Sequence, residues 1–138
     1  MRLMDLIINT DGASRGNPGL AGIGAVISNS KGELVGKICK FLGKATNNQA
    51  EYEAIIAGLK AARKLTNSKI IVRSDSELVV RQLRGDYSVN NPILKTLHNN
   101  VKMLEKCFKE VIYEHIRRDL NELADELANK GIDDECSG

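Results

Sequence analysis

A chain of 138 residues, 42% apolar and 28% charged with a formal net charge of +2, has the size and balance of one globular domain able to bury its own core. No stretch approaches the roughly 20 continuous apolar residues of a membrane span. The opening Met1-Arg2-Leu3-Met4-Asp5 lacks the long apolar core of a signal peptide, so a cytoplasmic location is expected. The near-neutral charge neither demands nor forbids a nucleic-acid partner, for which a local basic surface counts more than the total. Cys39, Cys107 and Cys136 lie far apart and form no Cys-x-x-Cys pair, which argues against a zinc site. They read as free thiols, with one bridge left open.

In chain order, residues 6–8 read as a short buried strand that ends at Thr10-Asp11, and 21–28 as a β-rich segment thinned by Gly22 and Gly24. The polar turn Asn29-Ser30-Lys31-Gly32 returns the chain into a third strand over 34–42, which completes an antiparallel meander. The period then changes: 48–65 repeats at helical spacing, 69–74 is a buried strand, and 76–84 is a short helix stopped by Gly85. Pro92 suits the first turn of a longer helix running to about Phe108. Residues 110–116 make a last strand and 120–130 a last helix closed by Gly131, with Leu120, Leu123, Ala124, Leu127 and Ala128 as its apolar stripe. The expected fold is α/β: a single domain over residues 1–131 with a mixed five-stranded sheet, three meander strands plus two parallel strands, flanked by helices, followed by a flexible tail over 132–138.

Four acids stand at the edges of these elements: Asp11, Glu51, Asp75 and Asp125. Each has an ordinary reading. Asp11-Gly12 suits a turn, Glu51 follows Asn48 at capping-box spacing, Asp75 suits the N-cap of the next helix, and Asp125 suits an exposed helix position. Two features weigh against those readings. Glu51 shares a helical row with Ile55, Gly58 and Ala62 and so points inward, where an unpaired charge is costly. Asp11 and Asp75 fall just past strand ends, where open α/β sheets gather ligands. Brought to one point, the four would hold magnesium, a hard cation that prefers oxygen ligands, and two such ions can drive phosphodiester hydrolysis.

The segments Thr10-Asp11-Gly12-Ala13-Ser14-Arg15-Gly16-Asn17-Pro18-Gly19, Thr46-Asn47-Asn48-Gln49-Ala50-Glu51-Tyr52, Ser74-Asp75-Ser76 and Asn121-Glu122-Leu123-Ala124-Asp125-Glu126-Leu127-Ala128 resemble, in order, the motifs of type 1 ribonuclease H. The resemblance implies a ribonuclease H-like fold. It also implies a metal-dependent endonuclease that hydrolyses the RNA strand of RNA–DNA hybrids by a two-metal-ion mechanism, leaving 5′-phosphate and 3′-hydroxyl ends. Asp11, Glu51, Asp75 and Asp125 are the implied ligands of two Mg2+ ions, with Mn2+ as a substitute. Gly12, Ser14, Asn17, Asn47, Asn48 and Gln49 resemble positions that meet the hybrid's minor groove, and Thr46 one that meets a DNA phosphate. Small polar side chains in glycine-rich loops suit close approach to 2′-hydroxyls, while helix capping is the ordinary reading for the two Asn residues. The implied partner is the hybrid, with double-stranded RNA as a second candidate; no membrane or protein partner is implied.

Two departures from the family pattern stand out. Gly85-Asp86-Tyr87-Ser88-Val89-Asn90-Asn91-Pro92 replaces the basic, aromatic-rich protrusion of many relatives, as in a prokaryotic subgroup that lacks it. Lys95, Lys102, Arg117 and Arg118 are alternative cations, although a solvated helix face explains such lysines equally simply. The segment after His115 is also short, resembling relatives with Arg in this region. Arg118 is therefore expected nearest the leaving phosphate, acting electrostatically, and His115 as structural. A hybrid-binding module without catalysis, and a transposase-like or exonuclease-like relative, are the competing readings.

Overall fold

The computed structural model describes residues 4–134 and residue 136; expectations for residues 1–3 and for tail residues 135, 137 and 138 lie outside the described residues. The chain folds as β1 (Leu6–Ser14), β2 (Gly19–Asn29), β3 (Leu34–Ala45), α1 (Asn47–Ala62), β4 (Lys69–Ser74), α2 (Glu77–Arg84), α3 (Pro92–Glu105), β5 (Glu110–His115) and α4 (Glu122–Ile132), with a 3-10 turn at Arg118–Leu120 before α4. The strands form one sheet in the order β3-β2-β1-β4-β5. β1, β2 and β3 pair antiparallel, and β4 pairs parallel with both β1 and β5. This is the mixed five-stranded sheet that the change of period predicts.

Helix α1 covers one face of the sheet, with α3 packed on α1 and α2 against β5. On this side Leu6, Ile8, Tyr52, Ile55, Leu59 and Val72 are fully buried in one apolar cluster. Each such burial contributes about 1.5–3 kcal/mol before the entropy of ordering is counted. The other face is built from small residues. A Cβ on Gly24 would lie 2.3 Å from the Ala124 carbonyl oxygen, and one on Gly22 would lie 2.4 Å from that of Ala128. The two glycines therefore let α4 lie backbone against backbone on β2. Because Gly24 is the register partner of Asp11, the same contact brings the start of α4 over the end of β1.

Several boundaries differ from the sequence reading. β1 continues to Ser14, because Asp11, Gly12, Ala13 and Ser14 keep pairing with Gly24, Ile23, Gly22 and Ala21. Asp11-Gly12 is thus strand and not turn. Leu120 lies in the 3-10 turn and is 60% exposed, and Leu123 is 45% exposed. The close approach over β2 buries Ala124, Leu127, Ala128, Gly131 and Ile132 instead. α4 runs one residue past the expected domain boundary, ending at Ile132. Beyond it Asp133 pairs with Arg15, and Cys136 is bridged to Cys39 across a Cα–Cα distance of 5.3 Å, leaving Cys107 as an exposed free thiol.

Candidate active site

Strand register places two of the acids. Thr10 and Ser74 are the last paired residues of the parallel β1–β4 ladder, so Asp11, still within β1, and Asp75, just past β4, follow that ladder's end side by side. Glu51 arrives from the first turns of α1, and Gly12 is what lets it come so close. A Cβ at Gly12 would sit 2.1 Å from the carbonyl carbon of Ala50, a position no other residue could occupy without moving the helix. The Gly12 N–H donates to Glu51 Oε1 at 2.7 Å. Carboxylate oxygens of Asp11, Glu51 and Asp75 all lie within 4.8 Å of one another.

The ordinary roles considered for these acids are taken by other residues. Helix α1 is capped by Thr46, whose Oγ1 accepts from Gln49 N at 3.2 Å while Gln49 Oε1 accepts from Thr46 N at 2.8 Å. The capping box is therefore Thr46 with Gln49, and neither Asn48 nor Glu51 belongs to it. Helix α2 is capped by Ser76, whose Oγ accepts from Val79 N at 3.3 Å, so Asp75 is no cap.

Burial and crowding of like charge then dominate the electrostatics. Asp11 and Glu51 are 5% and 4% exposed, and Asp75 is half-buried. Burial holds the Asp11 carboxyl far above the ordinary carboxylate range, reinforced by the charges of Glu51 and Asp75. Glu51 is raised by burial as well, against the opposing Gly12 N–H. Asp75 moves up for the same reason, opposed by Arg118 and Asn121. A set of buried hard oxygen donors short of positive charge fits a divalent cation of the magnesium type.

These three acids form the floor of a cavity of about 190 Å³, lined also by Gly12, Ala13, Asn47, Arg118 and Asp125. Asp125 stands at the rim, outside the tight group of three, where Asn129 Nδ2 donates to its main-chain oxygen at 3.0 Å. Arg118 Nη2 lies 3.7 Å from Asp125 Oδ1, with 81% of its side chain in solvent against 32% for Asp125. His115, by contrast, ends β5 as an exposed residue off the cavity lining.

Of the residues expected to meet substrate, Gly12 and Asn47 line this cavity, while Gln49 lines a separate pocket with Leu42, Lys44 and Ala45. Asn17 Oδ1 accepts from Asn47 N at 3.2 Å, and Ser14 Oγ donates to Ala45 O at 2.8 Å, so the loop after β1 is tied to the start of α1. Asn48 is half-buried beside Asn47. Gln49 and Thr46 have oxygens committed to the helix cap, a commitment the sequence reading did not foresee. Among the alternative cations, Lys102 is engaged internally: its Nζ donates to Leu83 O at 2.6 Å and lies over the Tyr113 ring. Arg117 pairs with Asp119, and Lys95 is free in solvent on α3. Asn121, which the sequence shows only as the first residue of the last motif, is buried at the junction of β1 and α4. The signal was available in an Asn set immediately before an apolar helix and four residues ahead of an acid.

Comparison with known proteins agrees with this geometry. The profile of a family described as reverse transcriptase-like matches residues 9–131. Ribonuclease HI of Halobacterium salinarum is 44% identical over 90% of this chain and 62% of its own length. The crystal structure of RNase H1 from that archaeon superposes with a TM-score of 0.91, at 42% identity over 94% of this chain and 98% of that one. Ribonuclease H of Coxiella burnetii is 32% identical over 90% of this chain and 87% of its own length. A crystal structure of LC11-RNase H1 in complex with RNA/DNA hybrid gives a TM-score of 0.90, at 40% identity over 96% of this chain and 99% of that one. Fold and acidic cavity thus define a nuclease-like α/β domain, and the chain belongs to the type 1 ribonuclease H family. It spans less than two thirds of the archaeal protein's length, so in that relative the same domain is part of a longer chain.

Proposed function

We propose that this protein is a metal-dependent endonuclease that hydrolyses the RNA strand of RNA–DNA hybrids, leaving 5′-phosphate and 3′-hydroxyl ends. The observation that carries the reading is the trio of carboxylates, two buried and one half-buried, gathered where the β1–β4 ladder ends by register and by Gly12. Asp11, Glu51 and Asp75 would hold the cation, with Asp125 completing the set from the rim. The ions are magnesium, with manganese as a substitute; when bound they supply a Lewis acid for the phosphate and lower the pKa of water.

The chain's own residues do the rest. The three floor acids concentrate negative charge that attracts and orients the cations, and their burial excludes bulk water from that side. Asp11 is central, because Glu51 and Asp75 both bear on it. Arg118, facing Glu51, Asp75 and Asp125, is placed to stabilise charge on the leaving phosphate, a role that needs no proton transfer. Gly12 and Asn47 at the cavity, with Ser14, Asn17, Asn48 and Gln49 near them in the chain, would supply the amides and small polar groups whose 2′-hydroxyl contacts distinguish RNA from DNA. Thr46 stands ready for a phosphate of the DNA strand.

The test uses end-labelled RNA–DNA hybrid, duplex RNA and duplex DNA, each with magnesium or with chelator. Internal RNA cuts in the hybrid that require both metal and Asp11, lost in Asp11→Asn, are the expected result. Binding without cutting supports a hybrid-binding module instead, and cleavage of duplex DNA a transposase-like or exonuclease-like activity.

A further inference from the structure

Asn121 joins the elements that carry three of the four acids. Its Nδ2 donates to the main-chain oxygen of Thr10 at 2.8 Å, immediately before Asp11. Its main-chain oxygen accepts from Asp125 N at 3.0 Å, and its main-chain N–H donates to the carbonyl of Arg118, also at 3.0 Å. The side-chain amide also bears on Asp75, favouring the ionised carboxylate. The residue is 1% exposed, and its Oδ1 has no hydrogen-bond partner among the described residues.

That unmatched oxygen argues against a packing role. A buried amide with one unpaired acceptor is costly, so an apolar side chain of similar volume, which would lose only the bond to the Thr10 carbonyl, would pack here at no great disadvantage. Nor does the side chain cap α4, although Asn121 occupies the N-cap position. What the amide does, and leucine could not, is fasten the end of β1 to the start of α4.

We propose that Asn121 is the positioning residue of the site: by locking the Thr10 carbonyl to the first turn of α4, it fixes the spacing of Asp11, Asp75 and Asp125 for metal binding. The inference rests on the metal-dependent reading above and adds a residue to it. Asn121 acts through the acids and touches no substrate.

The experiment compares wild type with Asn121→Leu, which keeps the volume, and Asn121→Ala, which decides the matter if the leucine variant fails to fold. Each is followed by thermal unfolding in chelator, by calorimetric titration with magnesium alone, and by steady-state cleavage of hybrid at saturating magnesium. The leucine variant removes the unpaired Asn121 Oδ1 but also takes a donor from the buried Thr10 carbonyl, so it is expected to melt in chelator close to the wild-type temperature. Its magnesium affinity should fall roughly 10-fold or more, the scale typical of groups that orient metal ligands. Its kcat should fall while KM for the hybrid holds. Wild-type magnesium affinity and kcat in the folded variants overturn the proposal, whether or not their melting temperatures drop. A wild type that neither binds magnesium nor cuts hybrid overturns the underlying reading, and this proposal with it.

Discussion

The floor and the rim of the acidic cavity hold their charges in different ways. On the floor, Asp11 and Glu51 are buried, and their positions follow from backbone: a strand register, a glycine without a Cβ, and an N–H aimed at a carboxylate. On the rim, Arg118 stands largely in solvent 3.7 Å from Asp125, which is about a third exposed and also bears on Asp11. Charge on the floor is costly when no cation is present and hard to relocate; charge on the rim is screened and adjustable. The floor should therefore set whether the site works, and the rim how well.

The largest effect should come from the centre of the floor. Asp11→Asn removes a ligand and should lower hybrid cleavage by more than the roughly 100-fold seen for outer groups around metal sites. The same change should stabilise the metal-free protein at neutral pH. The floor carboxyls are raised above their unfolded values, so the folded state holds protons that the unfolded chain has released. In chelator, their contribution is fully present below the unfolded carboxylate range near pH 4 and is lost progressively as pH rises towards the raised values of about 8 for Glu51 and about 9 for Asp11. Melting curves across that range should show stability falling with pH, with a shallower fall in Asp11→Asn. A wild-type contribution that rises with pH would contradict the assignment.

Gly12→Ala comes next, because its Cβ would meet the backbone of Ala50. Pushing back the first turn of α1 should cost about 1–3 kcal/mol by denaturant unfolding and also reduce cleavage, since Glu51 moves with the helix. An alanine variant with wild-type stability and activity would show that α1 is not held by this contact.

At the rim, Arg118→Ala should lower kcat about tenfold, less than the roughly 10²–10³ lost with a buried, preorganised donor. His115→Ala should change little, and neither protein should show a sharp activity step near pH 6.5. Such a step in wild type, abolished by His115→Ala, would move the assisting role from Arg118 to His115. The smallest effect belongs to Ser76→Ala, which removes the α2 cap and should cost about 1 kcal/mol of stability with cleavage intact. A loss of activity there would mean that Asp75 depends on the cap beside it.

The contrast also explains what could be read from the sequence. Glu51 was legible because its helical row is apolar and the helix is long, so the inward direction follows from the 3.6-residue period alone. Asp11 marks only the end of the pairing with β4, whereas the placing of Asp75 just past a strand end was legible from where the apolar run of β4 stops. The extension of β1 through Asp11-Gly12 was not, because a local Asp-Gly signal reads as a turn until its partners across the sheet are known. The caps failed for a similar reason: Asn48 with Glu51 and Thr46 with Gln49 share one spacing, and only the start of the helix separates them. Leu120 and Leu123 misled because which face of α4 is buried depends on two glycines in another strand. An Asn before an apolar helix marks the position of Asn121, but its partner Thr10 lies 111 residues away and no local pattern names it.

The central claim is that the carboxylates of Asp11, Glu51 and Asp75 are the metal site. Anomalous scattering from manganese, in crystals of the protein with an RNA–DNA hybrid, tests it most directly. The account predicts a peak within coordination distance of Asp11, Glu51 and Asp75, with the RNA phosphate beside it. Manganese bound elsewhere while this cavity stays empty would contradict it.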